Sequence, residues 1–479
     1  NFTTATWTYN TAVGYAAGAA VTTGISNTLI GAAAGDALTD ANENVVVGHG
    51  ALTADLKGHR SIAIGADTLA TQQFGTSTNT YNVAIGFSTG NDITTGLYNV
   101  LIGGLAGDAL TDADSNTAMG TSALGSDTLG SKSTALGRSA LAAQNFTTAT
   151  DTYNTAVGHE AGAAVSTGVN NTLIGGLAGD ALTASNHNVA IGTYALTADT
   201  LGSRSVAIGY AALDTQNFTT ATDSYNTAVG FGAGGAVTTG TNNTFVGGLA
   251  GDATDDGGYN VAVGSGALSA NCGDSNTAVG TSAALVCTGA DNTVVGANAG
   301  YALTSGTNNL FLGHDAGRTG SPGGNMTTQV NTIVMGDENI GAANIQVDWT
   351  VASDQRDKTD FTALDVGLDF VKALEPVTYK WDKRSKYAEE GDDLDTVTHD
   401  GTHKEDWLDI GFKAQEVEAL EIAAGYNKSS KTNLVSSHTG DGKQMGLQYS
   451  KFVPILVKAI QEQNALIESL TARITTLEG

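Results

Sequence analysis

A five-residue unit that recurs at fixed spacing constrains the fold of this chain more than any other feature. The unit is Asn or Ser, three mostly apolar residues and then Gly, and its first copies occupy residues 10–14, 27–31, 44–48 and 61–65. These copies start 17 residues apart, the next starts 21 residues later at Asn82, and the pattern therefore repeats every 72 residues. Nineteen copies follow one another. A short fixed period of this kind indicates a solenoid in which each coil contacts only its neighbours.

The residues within each unit favour β-strands. Val, Ile and Thr predominate between the glycines, and no helical period is present. The glycine that ends each unit is expected to turn a corner at positive φ, and a second short strand is expected at the alanines that follow, Ala17, Ala34 and Ala51. The predicted fold class is mostly β: a parallel β-roll or β-solenoid shaft, then an α+β domain that ends in a coiled-coil helix. At about 4.8 Å per coil, nineteen coils span roughly 90 Å.

The apolar residues of each strand predict an oligomer. The second and fourth residues of the unit are expected to face the interior of the coil, and the third residue is expected to face outward. The third residue is nevertheless apolar, as at Ala12, Leu29, Leu101, Leu173 and Phe245. A strand that is apolar on both faces is normally buried on both faces. Other copies of the chain would cover the outer face, so Leu101→Asp and Leu173→Asp are predicted to prevent assembly.

Two recurring features allow either a structural or a binding interpretation. The repeated Asn is expected to form an internal ladder of side-chain amides, with a ligand or metal role as the alternative. The four extra residues of every fourth coil lie in aromatic loops, and such loops project from one side of a solenoid. Their aromatic side chains either stack on the sugars of a receptor or pack against a neighbouring subunit. The residues concerned are Phe2, Tyr9, Phe74, Tyr81, Phe146, Tyr153, Phe218 and Tyr225.

Two cysteines, Cys272 and Cys287, are 15 residues apart, which is close to the length of one coil. Stacked positions are near enough for a disulfide, although the side-chain directions decide whether it forms. No cluster of Cys or His accompanies them, so a metal site is not expected, and no cofactor is predicted for the chain.

The charge of the chain excludes several classes of partner. The formal net charge is −27: 6 basic and 25 acidic residues before Ser353 give −19, and 15 basic and 23 acidic residues from it onward give −8. An acidic surface repels nucleic acid and anionic membranes, and no stretch is long and apolar enough to span a bilayer. The chain starts at Asn1, inside a repeat and without a signal peptide, so it is expected to be the C-terminal part of a longer protein.

The residues from Ser353 onward have a different, partly helical pattern. A short helix is predicted over residues 367–374, a strand over 377–381, a strand that leads into a helix over 410–417, and a final helix over 450–478 that Ser450 is expected to cap. The acidic loop that contains His399 and His403 is either a solvated excursion or a cation site. The final helix reads in heptads. Its a positions are Val453, Ile460, Ile467 and Ile474, and its d positions are Leu456, Gln463, Leu470 and Leu477.

A hydroxyl and an amine five residues apart, at Ser353 and Lys358, lie where the two patterns meet. A serine beside a neutral lysine is sufficient for acyl transfer, because the amine can take the proton of the attacking hydroxyl. The alternative interpretation is an inert turn before a helix.

The repeats resemble the head repeats of trimeric autotransporter adhesins. Residues 205–209, which read Ser-Val-Ala-Ile-Gly, carry the likeness most clearly, and it extends over about residues 10–336. The resemblance implies a left-handed parallel β-roll within a homotrimer.

The C-terminal part resembles the endosialidase-type intramolecular chaperone domain of phage tailspikes and tail fibres. Four ordered motifs carry this likeness, at residues 352–358, 374–381, 411–417 and 449–460. The resemblance implies a trimeric chaperone that assists a β-structured shaft and then cuts itself off.

The family's catalytic serine and lysine fall on Ser353 and Lys358, and its cleavage site falls on the Ala352–Ser353 bond. Asp357 stands where the family usually has an apolar residue, and a carboxylate there favours the charged form of the lysine. Slow cleavage is therefore expected, although Arg356 is expected to oppose a second positive charge.

These observations predict three regions: a repetitive shaft over residues 1–336, a connecting strand segment over 337–352 and a chaperone domain over 353–479. The favoured function is a homotrimeric, extracellular tail fibre or tailspike of a virion, involved in attachment to a host glycan or protein receptor. Its enzymatic activity would be a single self-cleavage, with none in trans. The alternatives are a glycan-degrading tailspike and a bacterial surface adhesin. A glycosidase needs paired carboxylates at a groove, and a sugar-release assay would discriminate.

Overall fold

The computed structural model describes residues 6–346, 349–388, 392–432 and 434–479. The chain forms two compact units. The first consists of Asn1–Asn298 and Thr304–Asn308, and the second of Ala299–Leu303 and Asn309–Gly479. Within the described ranges, no helix is long and apolar enough to cross a membrane.

The repeats form a parallel β-solenoid, as predicted. In the described part of the chain, nineteen units each contribute a strand of three residues. Each strand pairs in parallel with the strand of the next unit from Thr11–Val13 to Thr293–Val295, and Leu310–Leu312 pairs in the same way with Ile333–Met335. The strands are Thr11–Val13, Thr28–Ile30, Val45–Val47, Ile62–Ile64, Val83–Ile85, Val100–Ile102, Thr117–Met119, Thr134–Leu136, Thr155–Val157, Thr172–Ile174, Val189–Ile191, Val206–Ile208, Thr227–Val229, Thr244–Val246, Val261–Val263, Thr277–Val279, Thr293–Val295, Leu310–Leu312 and Ile333–Met335.

The glycine after each strand turns the corner that the sequence predicted. Gly31 has φ +135°, and a Cβ atom there would lie 2.3 Å from the carbonyl oxygen of Gly48 in the next coil. A side chain is therefore excluded both by the backbone conformation and by the neighbouring coil. The predicted second strand is wrong: Ala17, Ala34 and Ala51 lie in turns, where Ala34 and Ala51 are buried.

The predicted direction of the strand side chains is also wrong. The third residue of the unit fills the core of the coil, and Leu29, Leu101, Leu173 and Phe245 are fully buried. The second and fourth residues point the other way, and in each of these strands they are half-buried or exposed. The outer face of the sheet therefore presents a column of Thr, Val and Ile beside a column of Val, Ile, Leu and Met. We call this surface the outward strand face.

The Asn ladder is confirmed. The Asn10 side-chain oxygen accepts a hydrogen bond from the backbone N–H of Asn27 (2.8 Å), and the Asn27 amide donates to the Ala41 carbonyl (2.8 Å). The same contact recurs along the axis, for example from Asn44 to Asn27 and from Asn99 to Asn82. These buried amides satisfy backbone groups between the strands, so the ladder is structural.

The 72-residue repeat is marked by a buried polar network at each longer coil. The carboxylate of Asp55 accepts hydrogen bonds from the backbone N–H groups of Gly58 and Phe74 (3.0 and 3.1 Å) and from the Gln72 amide (2.6 Å). The Gln72 oxygen in turn accepts from the Asn82 amide (2.9 Å). Equivalent networks form around Asp127 with Gln144 and Asn154, and around Asp199 with Gln216 and Asn226. Short paired strands border these loops: Gly58–His59 with Thr78–Asn79, Gly130–Ser131 with Thr150–Asp151, and Gly202–Ser203 with Thr222–Asp223.

The C-terminal module is a small α/β structure followed by a long helix. Helices α1 (Leu368–Ala373) and α2 (Ala414–Ala423) and the start of α3 (Phe452–Glu478) surround a core that includes Phe370, Val417, Val435, Phe452 and Ile455. Two antiparallel strand pairs join Val377–Tyr379 to Asp409–Gly411 and Ser436–His438 to Met445–Leu447. Short 3-10 helices lie at Gln355–Asp357, Arg384–Tyr387, Lys428–Ser430 and Tyr449–Lys451.

Helix α3 has two different faces. Phe452, Ile455 and Ala459 are buried in the module. Seven of the eight predicted heptad side chains are large and apolar, and all seven are exposed: Val453, Leu456, Ile460, Ile467, Leu470, Ile474 and Leu477. We call the surface formed by these seven side chains the heptad face. Ser450 does not cap the helix, because it lies within the preceding 3-10 turn.

Candidate functional site

A single 3-10 turn brings Ser353 and Lys358 together. The Asp354 carboxylate caps this turn by accepting from the Arg356 backbone N–H (2.9 Å), and the backbone N–H of Lys358 donates to the Gln355 carbonyl. The chain therefore reverses over five residues. The Lys358 Nζ reaches the Ser353 Oγ at 2.5 Å and the Ser353 carbonyl oxygen at 3.3 Å.

The charge of Arg356 is paired with a neighbouring carboxylate, which the sequence prediction for this residue did not include. Its guanidinium forms a paired contact with the Asp354 carboxylate (2.6 and 3.1 Å), and hydrogen bonds from Arg356 lower the pKa of that carboxyl. This pairing largely neutralises Arg356, so the guanidinium contributes little repulsion toward Lys358. Ala352, Ser353 and Lys358 are all exposed in the single chain.

This geometry supports nucleophilic attack by a serine hydroxyl. The Lys358 amine lies within hydrogen-bond reach of Ser353 Oγ, as a general base must. It can act as a base only after it has lost its own proton, because an ammonium group has no free lone pair. A lysine in water is protonated at neutral pH, so the arrangement needs a less solvated environment to become reactive.

The aromatic residues of the long loops divide into two groups. Phe74, Phe146 and Phe218 are only 6–7% exposed, so stacking on a receptor sugar, which was one of the two alternatives, does not fit these three side chains. They pack beneath the loops, and their backbone N–H groups donate to the buried carboxylates of the polar networks. Phe2 lies outside the described residues. The exposed group is Tyr9, Tyr81, Tyr153 and Tyr225.

Three of these tyrosines share a motif that sequence reasoning missed. The Arg60 guanidinium lies 5.6 Å from the Tyr81 ring centre and donates to its hydroxyl (2.8 Å). Lys132 lies 5.3 Å from the Tyr153 ring, and Arg204 lies 5.7 Å from the Tyr225 ring.

We call these three pairs the tyrosine–cation sites. Asp151 and Asp223 pair with the cations of the second and third pairs. The sequence could have indicated these sites, because three of the six basic residues before Ser353 recur at the same 72-residue spacing as the tyrosines.

The sequence left a disulfide between Cys272 and Cys287 open, and the structure does not contain it. Cys272 and Cys287 are free thiols, and both are buried. Burial raises the pKa of Cys272 and raises that of Cys287 to about 11, so both thiols stay protonated and unreactive at neutral pH.

One group of metal-ligating side chains also escaped the sequence analysis. In the described part of the chain, His314, Asp315 and Asp337 form a group whose ligand atoms all lie within 4.8 Å of one another. Asp337 is 22 residues beyond Asp315, and only the register of the last two coils brings it to the same place.

Comparison with known proteins agrees with the C-terminal resemblance. A β-solenoid body with this C-terminal module is consistent with a protein of the tail-fibre or endosialidase type. Residues 353–426 match the family model described as chaperone of endosialidase. No curated protein and no solved structure matches the chain.

Proposed function

We propose that this chain is the shaft of a trimeric phage tail fibre or tailspike whose C-terminal chaperone is released by self-cleavage between Ala352 and Ser353. The observation that carries the proposal is the 2.5 Å contact between Lys358 Nζ and Ser353 Oγ. The family match begins at residue 353, which is the first residue after the proposed cut. The matched family comes from phage tail proteins, and this supports a location in the virion.

The proposed cleavage proceeds through an ester. Ser353 Oγ attacks the carbonyl carbon of Ala352 while Lys358 takes the hydroxyl proton, and the same proton passes to the Ser353 nitrogen as the peptide C–N bond breaks. Water then hydrolyses the ester, which leaves a carboxylate on Ala352 and restores the Ser353 hydroxyl. Each chain reacts once, because the product no longer carries the bond that is cut.

Assembly would control this reaction. Both side chains of the pair are exposed in the single chain, where water keeps a lysine amine charged. Contact with other copies would remove water from Lys358 and favour its neutral form. Cleavage would then follow correct association of the three chains.

Two exposed apolar surfaces support association between copies of the chain, and the number of three rests on the chaperone family. The outward strand face extends along the solenoid, and the heptad face covers α3 beyond its packed start. An apolar column repeated at every coil exceeds what an isolated soluble protein normally exposes. A heptad stripe of Ile and Leu is the pattern by which helices of separate chains pack.

Mass spectrometry under native and denaturing conditions tests association and cleavage together. We expect the unaltered protein to give trimers and a C-terminal fragment that starts at Ser353. Ser353→Ala and Lys358→Ala should give uncut trimers, whereas the control Lys372→Ala, which changes another exposed lysine, should be cut normally. Stable trimers of the unaltered protein without any cut chain would reject self-cleavage.

A second pair of variants tests the order of events. Ile467→Lys places a charge on the heptad face and should prevent both association and cleavage. Ala472→Lys places the same charge on α3 outside the heptad a and d positions and should prevent neither. Cleavage of a chain that remains monomeric would reject control by assembly.

We also propose that the tyrosine–cation sites contribute to host attachment. Their rings are about half exposed, and the adjacent cations and carboxylates provide hydrogen-bonding groups for a sugar that contacts the ring. Attachment through these sites requires no hydrolysis of the receptor.

A further inference from the structure

The last two coils of the solenoid place three potential metal ligands side by side. Leu312 pairs with Met335 in parallel register, so the residues two positions further along, His314 and Asp337, lie at equivalent points of adjacent coils. Asp315 follows directly and has φ +53°. All of these residues belong to the second compact unit.

The separations within this group suit a shared ion better than direct hydrogen bonds. His314 Nδ1 lies 3.3 Å from an Asp315 oxygen and 3.5 Å from an Asp337 oxygen. Good N–H···O hydrogen bonds are shorter, at roughly 2.7–3.2 Å. Two ligand atoms that bind one zinc ion at tetrahedral angles, each about 2.0–2.1 Å from the metal, are separated by about 3.3 Å.

Neighbouring groups already orient the carboxylates. The two oxygens of Asp337 accept hydrogen bonds from the backbone N–H (2.9 Å) and the side-chain amide (3.2 Å) of Asn339. Arg318 donates to the Asp315 oxygen that faces away from His314 (2.9 Å). Such outer contacts hold metal ligands in position in known sites.

We propose that His314, Asp315 and Asp337 bind one zinc-type divalent cation that joins the last two coils of the solenoid. One imidazole nitrogen and two carboxylate oxygens form a mixed donor set that suits Zn²⁺, with water completing the shell on the open side of the exposed His314. Ca²⁺ and Mg²⁺ prefer oxygen ligands alone and should bind weakly.

The chain contains a matched site that lacks one ligand. His159 and Glu160 occupy the same positions after the strand Thr155–Val157 as His314 and Asp315 do after Leu310–Leu312. The following coil has Gly176 where Asp337 stands in the other site, and the preceding coil supplies Arg138, whose guanidinium contacts both His159 and Glu160 at 3.0 Å. The second carboxylate is missing and a cation already lies against the other two groups, so this cluster should not bind metal.

Zinc binding to the full chain tests the proposal. After removal of metal with a chelator, equilibrium dialysis against ZnCl₂ with elemental analysis should give a zinc ion per chain that His314→Ala and Asp337→Asn both abolish. His159→Ala should leave this ion in place. Asn339→Ala should weaken its binding about 10- to 100-fold, as loss of an orienting contact does in other sites. Equal zinc content in the unaltered protein, His314→Ala and His159→Ala would overturn the proposal.

Thermal unfolding gives a second measurement that does not depend on counting ions. Zinc that binds only the folded state should raise the unfolding temperature of the second unit in proportion to the logarithm of its concentration. The increase should disappear in His314→Ala, whose side chain is exposed and whose replacement leaves the core intact. The same increase in His314→Ala, or an equal increase with CaCl₂, would contradict a mixed-donor site.

Discussion

In the proposed self-cleavage, the carboxylate of Asp357 next to Lys358 should slow the reaction. Asp357 follows Arg356, whose charge is already paired, so Asp357 contributes an uncompensated negative charge close to Lys358 in sequence. We predict that Asp357→Leu speeds cleavage by up to about fivefold, because a unit charge about 4 Å away in water is worth about 1 kcal/mol and a more distant charge is worth less. A time course of fragment formation measures the rate.

Asp357→Asn separates charge from shape in this experiment. It should speed cleavage to a similar extent if charge is the cause. An unchanged rate in Asp357→Asn, with a faster rate in Asp357→Leu, would instead assign the effect to the apolar side chain that the family usually carries at this position.

The buried Asp55–Gln72 contact offers a reversible exchange of donor and acceptor. Asp55→Asn alone places two amide donors against each other, and Gln72→Glu alone places two carboxylates together at the present 2.6 Å. Each single variant should lose about 2–3 kcal/mol of unfolding free energy. The double variant restores a donor opposite an acceptor and still lets residue 72 accept from Asn82, so a coupling of about 1–3 kcal/mol is expected from denaturant unfolding.

An exposed carboxylate is the control for this exchange. Asp112 accepts a hydrogen bond from Thr95 at the surface, and Asp112→Asn should cost less than about 0.5 kcal/mol. Additive effects of Asp55→Asn and Gln72→Glu would contradict the contact as described.

Sequence periodicity identified which residues recur but not where their side chains point. Phe74 and Tyr81 recur together every 72 residues, yet one is buried and the other is 45% exposed. The difference depends on the Asp55 network, which draws the backbone of Phe74 inward through a hydrogen bond 19 residues away in sequence. The Ser353–Lys358 contact was predictable because it is local: a single turn closes it.

The strands illustrate the same limit at the scale of the element. All three residues of a strand are largely apolar, so the sequence shows that neighbouring side chains point to opposite faces but not which face is the inner one. The sequence feature that identifies the inner face is how much side-chain volume varies at each position. The third position varies from Ala63 to Phe245, as a core position can when the rest of the coil compensates, whereas the fourth is always Val, Ile, Leu or Met. A large apolar residue at the fourth position of every unit, each half-buried or exposed, agrees with the proposed contact between chains.

Adjacent residues of one strand separate folding from assembly. We predict that Ile102→Lys together with Ile174→Lys yields folded monomers, because both side chains lie on the outward strand face. Leu101→Asp, the neighbouring substitution, should instead unfold coils, since Leu101 is fully buried and a carboxylate there would be unpaired. Light scattering measures association, and circular dichroism with limited proteolysis measures folding. Trimers that persist with Ile102→Lys and Ile174→Lys would exclude this face from the interface.

The two compact units should respond to acid in opposite directions. In the shaft, burial raises the pKa of Asp55, Asp108, Asp199 and Asp214, while Lys132 lowers that of Asp151. In the second unit, hydrogen bonds and ion pairs lower the pKa of Asp354, Asp369, Asp393, Asp395, Asp400, Asp441 and Glu462. A raised folded-state pKa gives stability that is present below the ordinary aspartate value of 3.8 and is lost as pH rises. A lowered one gives stability that is lost as pH falls through the folded value.

We therefore predict that acidification from about pH 6 to about pH 3 unfolds the second unit while the shaft persists. All described α-helices lie in the second unit, so the helical signal in circular dichroism should disappear first. Lys443→Met removes the partner of Asp393 and Asp395 and should make this loss less dependent on pH. Simultaneous loss of helical and β signals at each pH would contradict the prediction.

At the scale of the whole molecule, the repeat would make the proposed attachment sites multivalent. The tyrosine–cation sites recur every four coils, which separates them by about 19 Å within one shaft at about 4.8 Å per coil. Linked sites on a rigid support gain avidity when a repetitive ligand engages several at once.

We predict that Tyr81→Ala, Tyr153→Ala and Tyr225→Ala each weaken attachment to host cells by less than about tenfold, and that the triple variant weakens it by about 100-fold or more. The three rings are 45–55% exposed, so the substitutions should leave the solenoid folded. Tyr259 is the matched control, because it is also exposed and no cation of the described part of the chain lies over its ring; Tyr259→Ala should leave attachment unchanged. Full attachment by a triple variant that still forms trimers would remove these sites from host recognition and leave the tyrosines as part of the interface between chains.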